Sequence, residues 1–600
     1  MGLIDILVFC AFVATVLAVG LYKSKGEQTH SDHGVSDYFL AGRGLTWWLI
    51  GFSLIAANIS AEQFVGMSGQ GAGMEGLSVS SWEWIASITL VVVAFVLLPY
   101  FLKSGITTIP EFLEVRYNHW ARLLMTLSMM LILIGVSLIG VIYAGALTLK
   151  ELLSWYEVSV SLSACCWVLG GIAAIYVAVG GLKACAWADL LQGSALILGG
   201  GIITYYAFQA LGAAPVSELM ASTGLPADVE QNAGAIEKFR TINQEALQMG
   251  SNPAMPWPIL LLGIWIPNFY YWGLNQYITQ RILGSASLAE GQKGLVLAAG
   301  LKLLMPFIIV IPGIIAFNLF SAEMEQSAGD PLAVYEAAKL DPAGTTVFHV
   351  DQKWAQTHPA KTAEIERYNA AVLSRNDPAV VEMEEIKPYK YDSALGFLIT
   401  RLIPQNIGIL GFVVAALLGA IVSSLAAVMN AASTLLTMDV YQRYIDKNAS
   451  PFKLVSMGRA FIGAFLVIGC LSAPNLDNFK GVFEYIQTFQ GYISSGFLAV
   501  FIYGLINRTS GKWAGVIGLV ANPVVYGYFM HFHPGMHFLY AMSYTLLIIL
   551  TVLAIYGMIW KAERVEFTTQ TTMDLTTSKT ALGWGIVVCI LTILLYVIFW

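Results

Sequence analysis

Charge is scarce in this 600-residue chain: Asp, Glu, Lys and Arg together make up 12% of it, about half the share of an ordinary soluble domain. That excludes a typical water-soluble enzyme. Hydrophobic residues reach 57% and glycine occupies 56 positions, the composition of a polytopic membrane protein. Blocks of like charge are also missing. The net charge of -7 is spread over loops, so no nucleic-acid partner is expected. No CxxC pair or Cys/His cluster occurs. The six cysteines, Cys10, Cys165, Cys166, Cys185, Cys470 and Cys589, all lie in apolar runs and read as small buried hydrophobes rather than disulfides or metal ligands. The first apolar segment, 4–22, has neither a basic n-region nor a small-residue cleavage site and reads as a retained transmembrane helix. No nucleophile and base are spaced for covalent chemistry, so the expectation is a protein that is not an enzyme and has no organic cofactor.

Long apolar runs dominate what is present. A membrane span needs about 20 apolar residues to cross roughly 30 Å of hydrocarbon. Fourteen candidates satisfy this: 4–22, 47–70, 77–102, 123–149, 157–180, 185–211, 258–278, 294–320, 395–440, 454–474, 480–506, 513–531, 537–560 and 581–599. The run 395–440 is long for one crossing, and its first turns up to Pro404 are assigned to the surface. The expected fold class is therefore an all-α polytopic membrane protein of one transporter domain, 1–600, with about 14 transmembrane helices. Of the 31 Lys and Arg, eighteen fall in loops on one side and four in the short loops on the other. Short cytoplasmic loops retain such residues, which puts both termini outside the cytoplasm in an integral plasma membrane protein. Helices two to six and seven to eleven form two groups of five. Five is odd, so the second group enters inverted, and an inverted 5+5 repeat, 47–211 and 258–506, places a solute site near the midplane. Helix 4–22 precedes the repeats, 513–599 follows them, and the polar extracellular loop 322–393 is expected to hold short surface helices.

Polar residues inside these spans locate the site. The stretch "SLIAANISAEQFVGMSG", Ser53 to Gly69, carries Asn58, Ser60, Glu62 and Gln63. The corresponding helix of the second group reads "IPNFYYWGLNQ", with Pro267, Asn268 and Gly273. Freed backbone groups are tolerated at membrane depth only where they line a cavity or lie within protein, and paired interruptions in two halves point to a transporter site. Lys302 stands about eight residues, roughly 12 Å, into its span. A buried ammonium there costs several kcal/mol unless paired or hydrated, and Glu83 in "SSWEWIASITL" supplies the opposite charge. Gln487 in "FEYIQTFQGY" adds an amide. Trp82, Trp84, Tyr270, Tyr271, Trp272 and Phe483 surround these groups in sequence. Aromatic planes with amides, one carboxylate and one ammonium suit a neutral polyol better than an ion. In "LGAIVSSLAAVMN", Ser423 and Ser424 diverge by about 100° and would flank one hard cation if nearby carbonyls completed its shell.

The stretches "DYFLAGRGLTWWLIGFSLIAANISAEQFVGMSG", "PNFYYWGLNQYITQR", "AVGGLKACAWADLLQ" and "AIVSSLAAVMNAASTLLTMDVYQ" resemble the sodium:solute symporter family, and within it the sodium-coupled galactose and glucose carriers. The resemblance covers nearly the whole chain outside 322–393. It implies a leucine-transporter-type fold and Na+ as coupling ion. For the sugar it implies hydrogen bonds from Gln63, Glu83, Asn268, Lys302 and Gln487, with Tyr271 stacking as inner gate backed by Trp272, and Met67, Trp82 and Phe483 as outer gate. For sodium it implies the carbonyls of Ala56, Ile59 and Ala420 and the hydroxyls of Ser423 and Ser424. Asp189 matches an acidic position near the inner sodium exit, with a plain salt bridge as the alternative. Two departures bear on selectivity: Ala86 replaces a serine three residues after the binding glutamate, and Trp82 replaces a tyrosine. Leu425, Ala426 and Ala427 follow the serine pair where carriers of two sodium ions add hydroxyls, so one Na+ per sugar is expected. The expected function is sodium-coupled import of a monosaccharide through a bacterial inner membrane. The alternatives are symport of myo-inositol, proline or a carboxylate, or a sugar sensor without transport. The expected partners are sugar and lipid bilayer, and nothing in the sequence sets an oligomeric state.

Overall fold

The computed structural model describes residues 2–24, 34–154, 158–224, 229–340, 345–375, 381–478, 482–533 and 535–600. Among them, eleven helices are long and apolar enough to cross a membrane, or twelve if one bent pair counts as a span. The principal helices are α1 (Leu3–Ser24), α2 (Trp47–Asn58), α3 (Ala61–Ala72), α4 (Gly76–Lys103), α5 (His119–Lys150), α6 (Leu162–Ala213), α7 (Ile259–Leu274), α8 (Gln276–Leu283) and α9 (Leu288–Ser327). They continue as α10 (Gln352–Thr357), α11 (Pro359–Arg375), α12 (Ile409–Ile445), α13 (Pro451–Leu476), α14 (Val482–Ile506), α15 (Ala514–Phe532), α16 (Phe538–Ile559) and α17 (Lys579–Phe599). Helix α12 is apolar all round and buried almost throughout Leu410 to Leu435, as a helix at the centre of a bundle must be. Helices α1 and α17 bury few of their side chains and turn apolar surface outward.

Three of the expected spans are built differently from simple crossings. The run 47–70 is two rods, α2 and α3, meeting at 62°, because Ile59 and Ser60 adopt extended backbone. The runs 157–180 and 185–211 are joined in one 52-residue element, α6. Straight, it would measure about 78 Å, far beyond the hydrocarbon, and it breaks at Gly181, whose backbone (φ 54, ψ -152) is non-helical. The Tyr38 hydroxyl donates to the carbonyls of Val177 and Ala178, and Arg459 donates to Ala178, so the carbonyls freed by the kink are answered. A Cβ at Gly181 would stand 2.4 Å from the Tyr38 carbonyl oxygen. Gly181→Ala is therefore expected to cost about 2 to 3 kcal/mol, read as a lowered melting temperature in detergent; an unchanged melting point would contradict the account of the kink.

The third departure is 258–278. Pro267 does not interrupt this helix; the chain leaves helical geometry eight residues later, at Asn275 (φ -80, ψ 124). Wide π turns at Ile259–Gly263 and Tyr270–Leu274 flank the proline, shifting the hydrogen-bond register around its missing N–H. The 395–440 run does divide before its spanning helix, which starts at Ile409, but the first part is not at the surface: its short helix and π turn end at Leu402 with Ala394, Leu395, Leu398 and Ile399 buried.

The segment 322–393 holds more than surface helices. Strands β1 (Thr346–Val350) and β2 (Glu382–Ile386) pair in parallel from Thr346↔Glu382 to Val350↔Ile386. A parallel pair needs a long crossover, which α10 and α11 supply over a small core of Tyr335, Phe348, Trp354, Ile365 and Ile386. Three arginines counted with the loops are also buried: Arg116, Arg122 and Arg281. Each has partners: Arg116 the carbonyls of Gly504 and Asn507, Arg122 the carboxylates of Asp439 and Glu114, Arg281 the carboxylate of Asp189. Pairing is what lets a guanidinium leave water.

Candidate functional site

The break between α2 and α3 opens a cavity of about 80 Å³ whose walls include Asn58, Gln63, Trp82, Glu83, Asn268, Tyr271, Trp272, Lys302, Ser424 and Gln487. Six helices deliver its charged and amide groups: Asn58 from α2, Gln63 from α3, Glu83 from α4, Asn268 from α7, Lys302 from α9 and Gln487 from α14. Lys302 lies midway along α9 and is fully buried; its ammonium donates to Glu83 Oε2 at 2.5 Å and to the Asn58 side-chain oxygen. It also sits 5.0 Å over the Trp272 ring, a favourable place for a desolvated cation. On its other oxygen Glu83 accepts from Gln63 Nε2 at 2.5 Å. Asn58 turns its amide nitrogen to the Tyr271 hydroxyl at 2.9 Å, and the Tyr277 hydroxyl donates to that same oxygen. The result is one connected chain from Gln63 through Glu83, Lys302, Asn58 and Tyr271 to Tyr277, with the two charges neutralising each other.

The remaining expected sugar and gate residues take these places. Asn268 lines the cavity while its amide donates to the Ile264 carbonyl at 2.9 Å. Gln487 lines the α14 wall. The Tyr271 ring stands edge-on to Trp272, at 5.1 Å and 73°, and to Tyr277, at 5.5 Å and 87°. Met67 is buried one turn past Gln63, its sulfur accepting from the Gln63 amide at 3.5 Å. Trp82 lines the opposite side and stacks on Phe538 at 6.5 Å and 9°. The Phe483 side chain lies outside the described residues. Trp84 and Tyr270, close by in sequence, point elsewhere: Trp84 packs on Tyr596 and Phe599, and Tyr270 on Phe497. Ala86 is buried but is not among the residues that line the cavity.

Behind the cavity, the serine pair meets the end of α2. The Ser424 hydroxyl donates to the Ala57 carbonyl at 3.1 Å, and the Ser423 hydroxyl to Asp189 Oδ1 at 2.5 Å. Ala56, Ile59 and Ala420, whose carbonyls the resemblance assigns to sodium, are buried, but the carbonyl that meets the serine pair here is that of Ala57. With both hydroxyl protons engaged, the serine lone pairs are free to face a cation, and a helix that stops at Asn58 leaves its last carbonyls without intrahelical donors. Oxygen-only ligation of this kind suits a hard cation. Asp189 is not a free acid. Its Oδ2 accepts from Arg281 at 2.9 Å and from Ser53 at 2.5 Å, and Ser53 in turn accepts from Arg281 at 2.6 Å. Arg281 sits on α8, where it also donates to the Tyr277 carbonyl at 2.6 Å.

Sequence reasoning left four polar cavity residues without a role: Asn58, Ser137, Tyr277 and Gln490. Asn58 was in view as part of the interrupted stretch, and Gln490 stands three residues from Gln487, on the same helical face. Tyr277 carried no signal, since it reaches the site only because the chain turns at Asn275. The same turn brings Arg281 to Asp189.

A helical bundle with one broken helix and a buried polar cavity beside a buried serine pair has the build of a solute carrier in a membrane. The model of the sodium:solute symporter family matches residues 38–341 and 384–520, and the chain belongs to that family. It is a family of transporters, so the protein is a carrier and not an enzyme. The chain is 36% identical over 561 residues to a sodium/glucose cotransporter of Vibrio parahaemolyticus, covering 92% of this chain and 90% of that one. It is 28% identical over 529 residues to a sodium/myo-inositol cotransporter 2 of Oryctolagus cuniculus, covering 86% and 68%. The solved structure of a Na+-coupled sialic acid symporter in a substrate-bound, outward-open state shares the fold, with a TM-score of 0.68 at 20% identity over 94% of this chain and 99% of the other.

Proposed function

We propose that the chain imports a monosaccharide of the galactose or glucose kind together with one sodium ion, by alternating access. The observation that carries this reading is the single cavity in which Gln63, Glu83, Lys302, Asn58 and Tyr271 form one polar chain against Trp272, with Ser424 of the cation cradle on the same wall. A hexose offers hydroxyls to amide, carboxylate and ammonium groups and a C–H face to an aromatic ring. Asn268 and Gln487 complete the hydrogen bonding, Tyr271 and Trp272 form the inner gate, and Met67, Trp82 and Phe483 the outer one. Sodium is held by the carbonyls of Ala56, Ile59 and Ala420 and the hydroxyls of Ser423 and Ser424.

Coupling follows from shared parts. The end of α2 presents carbonyls to the ion and Asn58 to the sugar network, so an ion that orders this end also orders the sugar site. A second route runs from Tyr271 through Tyr277 and Arg281 to Asp189 and Ser423. One charge moving through 100 mV supplies about 2.3 kcal/mol, and a tenfold sodium gradient about 1.4; together they sustain a sugar gradient of several hundredfold. The architecture we infer has fourteen crossings, with α6 taken as two arms and α7 with α8 as one broken crossing. It is an inverted repeat of 47–211 and 258–506, supported by the meeting of the two broken helices at the Asn58–Tyr271 hydrogen bond. Both termini and the segment 322–393 face away from the cytoplasm of a bacterial inner membrane.

The deciding assay is sodium-driven uptake into proteoliposomes, screened across hexoses, pentoses, polyols, proline and carboxylates. Accumulation of galactose or glucose is expected; accumulation of a different solute alone, or counterflow and accumulation both absent, would refute the sugar carrier. The similarity to a sodium/myo-inositol cotransporter, with Ala86 and Trp82 as departures, favours myo-inositol as the second candidate. Ser424→Ala is expected to raise the sodium concentration for half-maximal uptake about tenfold, since one of few oxygen ligands is lost. An unchanged sodium response would remove Ser424 from the cation site. Charge per sugar in the same vesicles should be one; a value of two would overturn the stoichiometry.

A further inference from the structure

We propose that Lys353, in the extramembrane unit between residues 322 and 393, is a positioning residue for the sugar site: its ammonium caps the last carbonyl of α3 and thereby sets where Gln63 and Met67 stand. The inference rests on the sugar-carrier reading of the central cavity. Its starting point is the shape of α3. This helix has only 12 residues, begins at the break after Ser60 and ends at Ala72, so neither end is continued by a collinear helix. Its final carbonyls lack intrahelical donors and gather negative partial charge. Lys353 Nζ donates to the Ala72 carbonyl at 2.5 Å. The same ammonium lies 4.3 Å over the ring of Phe317 on α9, the helix that carries Lys302. One cation thus joins the extramembrane unit to two of the helices that supply the sugar network, α3 with Gln63 and α9 with Lys302. Burial lowers its pKa to about 8 even with Asp351 close by.

Packing around the same end makes the placement specific. A Cβ on Gly69 would stand 2.8 Å from Asp392 Oδ1 and 3.1 Å from the Tyr391 carbonyl oxygen. On the other side a Cβ on Gly313 of α9 would stand 2.1 Å from the Ser68 carbonyl oxygen. The far half of α3 is wedged between α9 and the end of the extramembrane unit, and Lys353 pins its tip; the near half carries Gln63 and Met67. The family match stops at residue 341 and resumes at 384. Lys353 lies in that gap, outside the part of the chain that the family model matches.

Full-length protein in proteoliposomes, with radiolabelled galactose as probe, tests the role. Lys353→Met is expected to raise the galactose KM about fivefold, the worth of a cation at a helix C-terminus, through a smaller share of carriers with Gln63 in place. Vmax should stay within about twofold. Lys353→Arg keeps a charged donor and should restore KM to within about twofold of wild type. Gly69→Ala, which pushes Tyr391 and Asp392 off α3, should raise KM by a similar factor, and the double variant should fall short of the product. Hydrogen exchange of the α3 amides needs no transport and should quicken in Lys353→Met. A methionine variant with unchanged KM and unchanged exchange, or an arginine variant no better than methionine, overturns the positioning role. Faster α3 exchange in a protein whose wild type takes up no galactose upholds that role and places the failure in the sugar reading.

Discussion

Lys302→Met is expected to abolish uphill sugar uptake, with a loss of at least about a hundredfold. The ammonium is buried between Glu83 and Asn58 on the cavity wall. Removing it strands the Glu83 carboxylate, and breaking a buried pair on one side costs about 3 to 5 kcal/mol. The cavity must then compensate that charge in another way, and its acceptor and donor pattern changes. The double variant Glu83→Gln/Lys302→Met removes both charges together. It should melt higher than Lys302→Met alone while transporting no better, because stability needs only that no charge be left over, whereas sugar recognition needs both groups. Melting temperatures and uptake measured on the three proteins decide this. Wild-type-like uptake by Lys302→Met, or a double variant no more stable than the single, would show that the pair is not the centre of the site.

Arg281→Met is expected to be the other large loss, again about 3 to 5 kcal/mol of stability, and to leave a particular signature in sodium. Without the guanidinium, Asp189 keeps two serine hydroxyls as donors and no countercharge. Its partner Ser423 belongs to the sodium site we propose. Sodium should therefore raise the melting temperature of Arg281→Met well above its effect on wild type, since a ligand that binds only the folded state stabilises it by mass action; choline chloride at equal ionic strength should not. Adding Asp189→Asn should recover most of the lost stability and erase the extra sodium effect. A variant indifferent to sodium would separate Asp189 from the ion path and leave it a plain salt bridge.

Much of this molecule could be read along the chain. The scarcity of charge and the length of the apolar runs specify a membrane bundle, since the hydrocarbon admits little else. Glu83 and Lys302 declared themselves because an ionised group at that depth is too costly to stand alone. Other elements were closed to such reasoning. Pro267 is the conspicuous helix breaker in its span, yet flanking π turns absorb it and the chain turns at Asn275, whose sequence context is unremarkable. Arg281 and Arg122 look like loop residues until carboxylates 92 and 317 positions away are found against them. Lys353 sits in a segment whose polarity reads as surface.

The amino-acid sequence by itself determined the solvent in which this protein folds, the order of its apolar segments, and which few polar groups must find partners inside them. Those follow from transfer free energies, which depend on residue type and local run length alone. Only the tertiary structure decided who the partners are: Asn58 and Tyr271 between the two breaks, Arg281 behind the serine pair, Lys353 at the tip of α3. Hydrogen bonds and ion pairs act over about 3 Å, and no periodicity along a chain records which distant segments are folded to within that reach.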